Sequence, residues 1–151
     1  MSNARPNAEP NYWMGVACAE HTRAGRDGGF AQLGHGKHAP VRSLRRGDWI
    51  VYYSPRDRLD GGKTVQAFTT IGRVTSDAAY QVAQSEGFEP FRVDVEYLAN
   101  AHPAPIKPLL GELDLTRDRG ANWGIVMRGA KHRLTERDMH TIAAAMGTAI
   151  E

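Results

Sequence analysis

The stretch Trp49-Ile50-Val51-Tyr52-Tyr53-Ser54-Pro55, entered through Arg46-Gly47-Asp48, decides the fold. Aromatic and β-branched residues run without a break from Trp49 to Tyr53, the composition of a strand, and Pro55 is expected to end it. Asp60-Gly61-Gly62 then supplies a hairpin turn, and Val65 to Val74 the return strand. Gly72, inside that return strand, predicts a bulge or a close backbone approach. Successive strand residues point to opposite faces, so Tyr52 and Tyr53 cannot share a surroundings: one packs inward and the other can face a cleft.

Outward from this hairpin the chain supplies more strands. Tyr12 to Cys18 is apolar nearly throughout, as a strand covered on both faces would be. A short segment lies around Tyr80-Gln81-Val82. Phe91 to Leu98 alternates cleanly, with Phe91, Val93, Val95 and Tyr97 on one side and Arg92, Asp94 and Glu96 on the other. Asn122 to Met127 reads as the last strand. Helical signals are few: one turn at Val41 to Arg45, a short helix at Lys107 to Leu113 after Pro105, and a closing helix capped by Thr135. In that last helix Met139, Ile142, Ala143 and Met146 form one apolar face, with Leu134 and Met139 placed as a staple across the cap. Strands that pair into hairpins without regular βαβ alternation describe an α+β domain: a small, distorted mixed β-barrel of five or six strands, flanked by short helices and a C-terminal helix. Residues 1–11, rich in Asn, Ala and Pro, read as a flexible tail, and residues 12–151 as a single domain.

The totals narrow the function classes. The chain has 151 residues, 41% hydrophobic and 24% charged, enough apolar content to fold. Cys18 is the single cysteine, which excludes an internal disulfide and cysteine-based zinc sites. No apolar run approaches the ~20 residues of a membrane helix, and the polar start lacks a signal-peptide pattern. A cytoplasmic protein without a membrane partner is expected. The net charge of +2 permits nucleic-acid binding without demanding it. Basic residues nevertheless crowd together at Lys37, His38, Arg42, Arg45 and Arg46.

Ala19 to Pro40 shows little periodicity and reads as one long loop, its second half running Gly28-Gly29-Phe30-Ala31-Gln32-Leu33-Gly34-His35-Gly36-Lys37. Glycines at this density allow backbone to approach a ligand, and Phe30 among them offers an aromatic wall for a flat ring; a loop pinned by one phenylalanine is the plainer alternative. A tyrosine of the Tyr52-Tyr53 pair can stack on a base, worth ~1–3 kcal/mol. Trp13, Trp49 and Trp123 lie at or near strand starts, where core packing is their ordinary role. Glu20, His21, His35 and His38 lack the paired spacing of metal ligands, so no metal and no cofactor are expected. Ser54 precedes Pro55 and sits in no nucleophile elbow. Cys18 is expected as a buried, inert strand residue.

Taken in order, YWMGVA, EH, GGFAQLGHGKHAP, LRRGDWIVYYSP, QAFTTIGRV, FRVDVEYL and NWG resemble the EVE domain, over nearly the whole chain from Tyr12 to the final helix. That resemblance implies a PUA-like fold, related to YTH and ASCH domains. It implies a non-enzymatic role: binding of DNA or RNA that carries a modified base, methylated or hydroxymethylated, flipped into a pocket. Carried over by position, the pocket set is Trp13, Gly29, Phe30, Gln32, His35, Tyr52, Tyr53, Ser54 and Pro55. Lys37, Arg42, Arg45, Arg46 and Arg56 would contact phosphates. A separately encoded partner protein is a further expectation. Three departures stand out: the loop has no tryptophan for a YTH-type cage, Cys18 stands where many relatives have serine, and Met139 stands where an aromatic is expected. Two alternatives remain open. One is a small ASCH-like hydrolase or nuclease using Lys37, His35 or Glu20 as acid or base. The other is a sensor of a free nucleobase-like molecule.

Overall fold

A computed structural model describes residues 9–151. The expected tail at residues 1–11 therefore falls, for its first eight residues, outside the described residues. The chain builds a mixed sheet from β1 (Tyr12–Val16), β2 (Phe30–Ala31), β3 (Trp49–Arg56), β4 (Thr64–Val74), β5 (Tyr80–Gln81), β6 (Phe91–Tyr97), β7 (Ala104–Pro105) and β8 (Lys131–Leu134). Their order is β2-β6-β4-β3-β1-β8, with β5 on β6 and β7 on β4. All pairs are antiparallel except β1 with β3, which run parallel from Tyr12 opposite Trp49 to Val16 opposite Tyr53. A parallel pair requires a crossover between its strands. Here the crossover is α1 (Ala19–Gly28), β2 and α2 (His38–Arg42). The sheet curls into the expected distorted half-barrel, with short helices around it and α3 (Glu136–Ala145) at the C-terminal end.

The continuous apolar character of β1 and β3 has a direct cause: both faces of the central sheet are covered. On one face Met14, Val51, Tyr53 and Phe68 pack against Met139 and Ile142 of α3, against Met146 just after it, and against Leu109 and Leu113. On the other, Trp13, Ile50, Tyr52 and Val74 pack against Ala31, Leu33, Val41, Leu44, Val93 and Val95. β6 alternates as read, with Val93 and Val95 buried and Asp94 and Glu96 exposed. Gly72 is a close approach: a Cβ there would stand 2.6 Å from the Glu96 carbonyl oxygen and 2.6 Å from Val95 Cγ1. Thr135 caps α3 as expected, its hydroxyl accepting from the Asp138 N–H at 3.1 Å. Asp138 does not reach back to complete the capping box. Its carboxylate instead accepts from the Asp114 and Leu115 amides at 2.7 and 3.0 Å, tying the preceding turn to the helix.

Several readings need correction. The supposed loop from Ala19 to Pro40 is largely regular: it holds α1, β2, a 3-10 turn at Gly34–Gly36 and the start of α2. α1 escaped notice because only Thr22 and Gly25 of its residues are buried, so it lacks an apolar stripe. Cys18 is the half-buried residue before α1 rather than a buried strand residue. Pro55 does not end β3, which continues to Arg56 through register shifts at Tyr52/Tyr53 and Ser54/Arg56; at such an irregularity a residue without an N–H costs no ladder bond. Residues 122–127 are not a strand. Gly120–Met127 is a 3-10 segment, and the last strand is β8, whose alternating Lys131-His132-Arg133-Leu134 carries too few apolar residues to stand out.

Candidate nucleic-acid interface

The crossover folds back against the Tyr52-Tyr53-Ser54-Pro55 end of β3. The Ala17 N–H donates to the Tyr53 carbonyl at 3.1 Å and the Glu20 N–H to the Asp57 carbonyl at 2.8 Å, which seats α1 over the β3–β4 hairpin. Gly15 permits this closeness, since a Cβ there would lie 2.6 Å from Leu33 and 2.9 Å from the Tyr52 ring. Three sequence-predicted residues come together beneath α1. Tyr52 is 1% exposed, and its hydroxyl donates to the Gln32 carbonyl at 2.9 Å. Burial pushes its phenol well above the ordinary value. Ser54, two residues on and on the same face, is wholly buried. Gln32 is 5% exposed, and its side-chain Oε1 is buried with no partner among the described residues.

The hydroxyls here form a chain whose direction can be worked out. Thr22 Oγ1 donates to the Ala19 carbonyl at 3.0 Å, which uses its one hydrogen. Thr69 Oγ1, 3.0 Å away, must then donate to Thr22, and Ser54 Oγ, 2.8 Å from Thr69, must donate to Thr69. Tyr52 has spent its hydrogen on Gln32. What the hydroxyl chain leaves unspent is the acceptor capacity of Ser54, at the same end as a buried Gln32 amide oxygen without a partner among the described residues. His21 Nε2 donates to the same Gln32 carbonyl at 3.1 Å, and its ring meets Tyr52 edge-on at 6.1 Å between centroids. The space between the two segments is thus occupied by Thr22, Gln32, Tyr52 and Ser54, with half-buried His21 above them.

The other expected pocket residues lie elsewhere. Tyr53 faces the α3 side, edge-on to Phe68 at 5.7 Å, with burial pushing its phenol up to about 12. Trp13 shares the Tyr52 face but donates its indole N–H to buried Asp48 at 2.9 Å. Phe30 is on β2 beside β6, and the Arg92 guanidinium covers its ring at 3.7 Å. Pro55 is half-buried beyond Ser54. His35 is exposed at the tip of the Gly34–Gly36 turn, with φ of 62° between two glycines that are also left-handed. Glycine is required at position 36, where a Cβ would come within 2.4 Å of Pro90. Gly29 borders an open depression of about 610 Å³ with Arg26, Asp27, Val95 and Tyr97, away from Ser54.

Of the expected phosphate contacts, Lys37, Arg42 and Arg45 are exposed and make no ion pair among the described residues. Arg46 is paired with Asp77 at 2.7 Å, which holds that carboxyl below its ordinary value, and Arg56 donates to the Gly62 carbonyl. Two cations that sequence reasoning missed, Lys131 and Arg133, flank the Trp13 ring at 4.5 and 5.3 Å. Their two-residue spacing in a strand was the available signal, hidden by the misplaced last strand. Thr22 was hidden by the loop reading. Thr69 was hidden by the register shift, which no sequence pattern marks. Glu20, His21, His35 and His38 do not converge, and among the described residues no group of three or more His, Cys, Asp or Glu could hold a metal ion. No helix there is long and apolar enough to cross a membrane.

Comparison with known proteins adds relatives of similar length. The family described as EVE domain matches residues 11–145. A UPF0310 protein of Mesorhizobium japonicum, msl3206, is 49% identical over 90% of this chain and 91% of its own. The UPF0310 protein YdcG of Bacillus subtilis is 38% identical over 93% of this chain and 94% of its own. In fold, the chain is similar to the crystal structure of Atu2648 from Agrobacterium tumefaciens, with a TM-score of 0.57 at 16% identity over 93% and 96% of the two chains.

Proposed function

The chain belongs to the EVE domain family, and from that premise we propose that it is a non-catalytic nucleic-acid-binding protein that takes a modified, amino-bearing base into the polar space beneath α1. The observation that supports this reading is the buried Oε1 of Gln32, without a partner among the described residues, at the same end of the sheet as the buried Ser54 hydroxyl. A buried acceptor without a donor costs ~1–3 kcal/mol. A base edge that brings an N–H removes that cost. Cytosine and adenine present an exocyclic amino group; thymine and uracil present a carbonyl at the same place. The Tyr52 ring and the His21 imidazole are the planes nearest this edge. Thr22, Gln32, Tyr52 and Ser54 fill this end of the sheet in the structure, so a base enters only if these side chains and His21 give way, and the unpairing of the base, a few kcal/mol, must be returned by the same contacts. A methyl group contributes only about 0.8 kcal/mol by burial, so discrimination rests on the shape of the space.

A panel of labelled oligonucleotides, DNA and RNA, tests this. Each contains one 5-methylcytosine, 5-hydroxymethylcytosine, N6-methyladenine or the plain base. Tighter binding to one modified species is expected, with the preference abolished in Gln32→Leu while the melting temperature holds. Equal affinity across the panel at every salt concentration overturns the modified-base reading.

A further inference from the structure

Three positive side chains converge where no negative one answers them. Lys131 and Arg133 project from β8 on the same side as their β1 partners Gly15 and Trp13, and both stand over the Trp13 ring. The Lys131 ammonium donates to Ser43 Oγ, at the C-terminal end of α2, which brings it toward Arg42. Asp48, the carboxylate bonded to Trp13 itself, is spent. Buried beneath the surface, it accepts from Trp13 Nε1 at 2.9 Å, from the Asn11 amide at 3.0 Å and from the Arg45 amide at 3.0 Å. Among the described residues no carboxylate comes within ion-pair distance of Arg42, Lys131 or Arg133. Arg46 is answered by Asp77, Arg73 by Glu151, and Arg117 and Arg137 by Asp114, whereas Arg56 and Arg92 meet a carbonyl and an amide oxygen instead.

We propose, building on the nucleic-acid reading above, that Arg42, Ser43, Lys131 and Arg133 form a phosphate track that holds the backbone of the bound strand over the Trp13 end of the sheet. Like charges held together repel unless an anion sits between them. Lys131 already registers the repulsion: partial burial, and then the Arg42 charge, hold its ammonium below the ordinary lysine value. The two β8 cations spring from positions roughly 7 Å apart along an extended strand, a spacing compatible with neighbouring phosphates of one chain. The track also adjoins the proposed base site. Ala130, next to Lys131, accepts from the Val16 N–H at 3.1 Å, and Gly34 of the Gly34–Gly36 turn packs beside Ala130, where a Cβ would be 3.4 Å away. A strand lying along β8 can therefore present a base toward Gln32.

The test is fluorescence anisotropy of the full chain with an unmodified, labelled single-stranded oligonucleotide across a salt series. The Lys131→Gln/Arg133→Gln double variant is compared with Arg117→Gln, a remote cation. Loss of two phosphate contacts lowers the slope of log affinity against log salt by about 1.4 and weakens low-salt binding by about tenfold or more. The melting temperature of the double variant is expected to hold or rise, because repulsion is relieved; a merely structural role would lower it. The base preference of the modified-oligonucleotide panel is expected to survive. An unchanged salt slope in the double variant overturns the track while leaving the base site standing. Equal loss in Arg117→Gln, or binding of polyglutamate with the same slope as the oligonucleotide, overturns it as well. Failure of the intact chain to bind any oligonucleotide overturns the track and the function together.

Discussion

Tyr52 and Tyr53 are neighbours in the chain, and they belong to different halves of the molecule. Tyr53 meets Phe68 and the α3 side, a region of Met, Leu and Ile. Tyr52 meets the Gln32 carbonyl, and beyond it lie Thr22, Ser54 and Thr69. The first side is held by close packing, which is non-directional and tolerates only small volume changes. The second joins an apolar cluster around Tyr52 to directional bonds among Thr22, Ser54 and Thr69. Buried hydroxyls contribute little net stability when paired, and their unspent lone pairs are costly unless something arrives to use them. The α3 side is thus the foundation of the fold, and the α1 side is where a ligand gains most from entering.

This contrast can be tested from its larger effects down. Phe68→Ala empties a wholly buried position on the packed side and is expected to cost about 3–5 kcal/mol in urea unfolding. A loss under 1 kcal/mol would mean that this side does not anchor the fold. Tyr52→Phe removes one hydroxyl from the polar side and leaves the Gln32 carbonyl to His21; a loss of about 1 kcal/mol is expected. Tyr53→Phe, against the apolar side, is expected to cost less than Tyr52→Phe in the same assay, and the reverse order would break the contrast.

The smallest effect is one of pH. Asp138 is the titrating group of the packed side, and burial raises its carboxyl above 3.8 despite the two amide bonds it accepts. The folded state therefore holds that proton more tightly than the unfolded state does. Its contribution to stability is full below pH 3.8 and is lost as pH rises through the folded value. Asp77 and Asp114 are shifted the other way, by Arg46 and first by Thr135, so their contributions are lost on acidification. Melting temperatures from pH 3 to 6 separate the two. The difference between Asp138→Asn and the parent chain should move in the variant's favour as pH rises, and a difference flat with pH would remove Asp138 as the source.

Much of this architecture was legible before any coordinates. Unbroken runs of apolar residues at β1 and β3, the glycine-marked hairpin, the alternation of β6 and the Thr135 cap all follow from contacts between near neighbours in the chain or from a single repeating period. Order and content of the motifs also sufficed to identify the family, matched over residues 11–145. Tertiary structure alone decided the parallel pairing of β1 with β3, because it depends on how a crossover without an apolar stripe lies over the hairpin. It alone decided that Thr22, Ser54 and Thr69 form one hydrogen-bonded chain, since a register shift within β3 and β4 moves side chains between faces and leaves no mark in residue type. And it alone set Lys131 and Arg133 over one indole, with Arg42 near enough to act on Lys131. Charges distant in sequence acquire their meaning from which carboxylates are left to meet them, and that is a property of the folded surface.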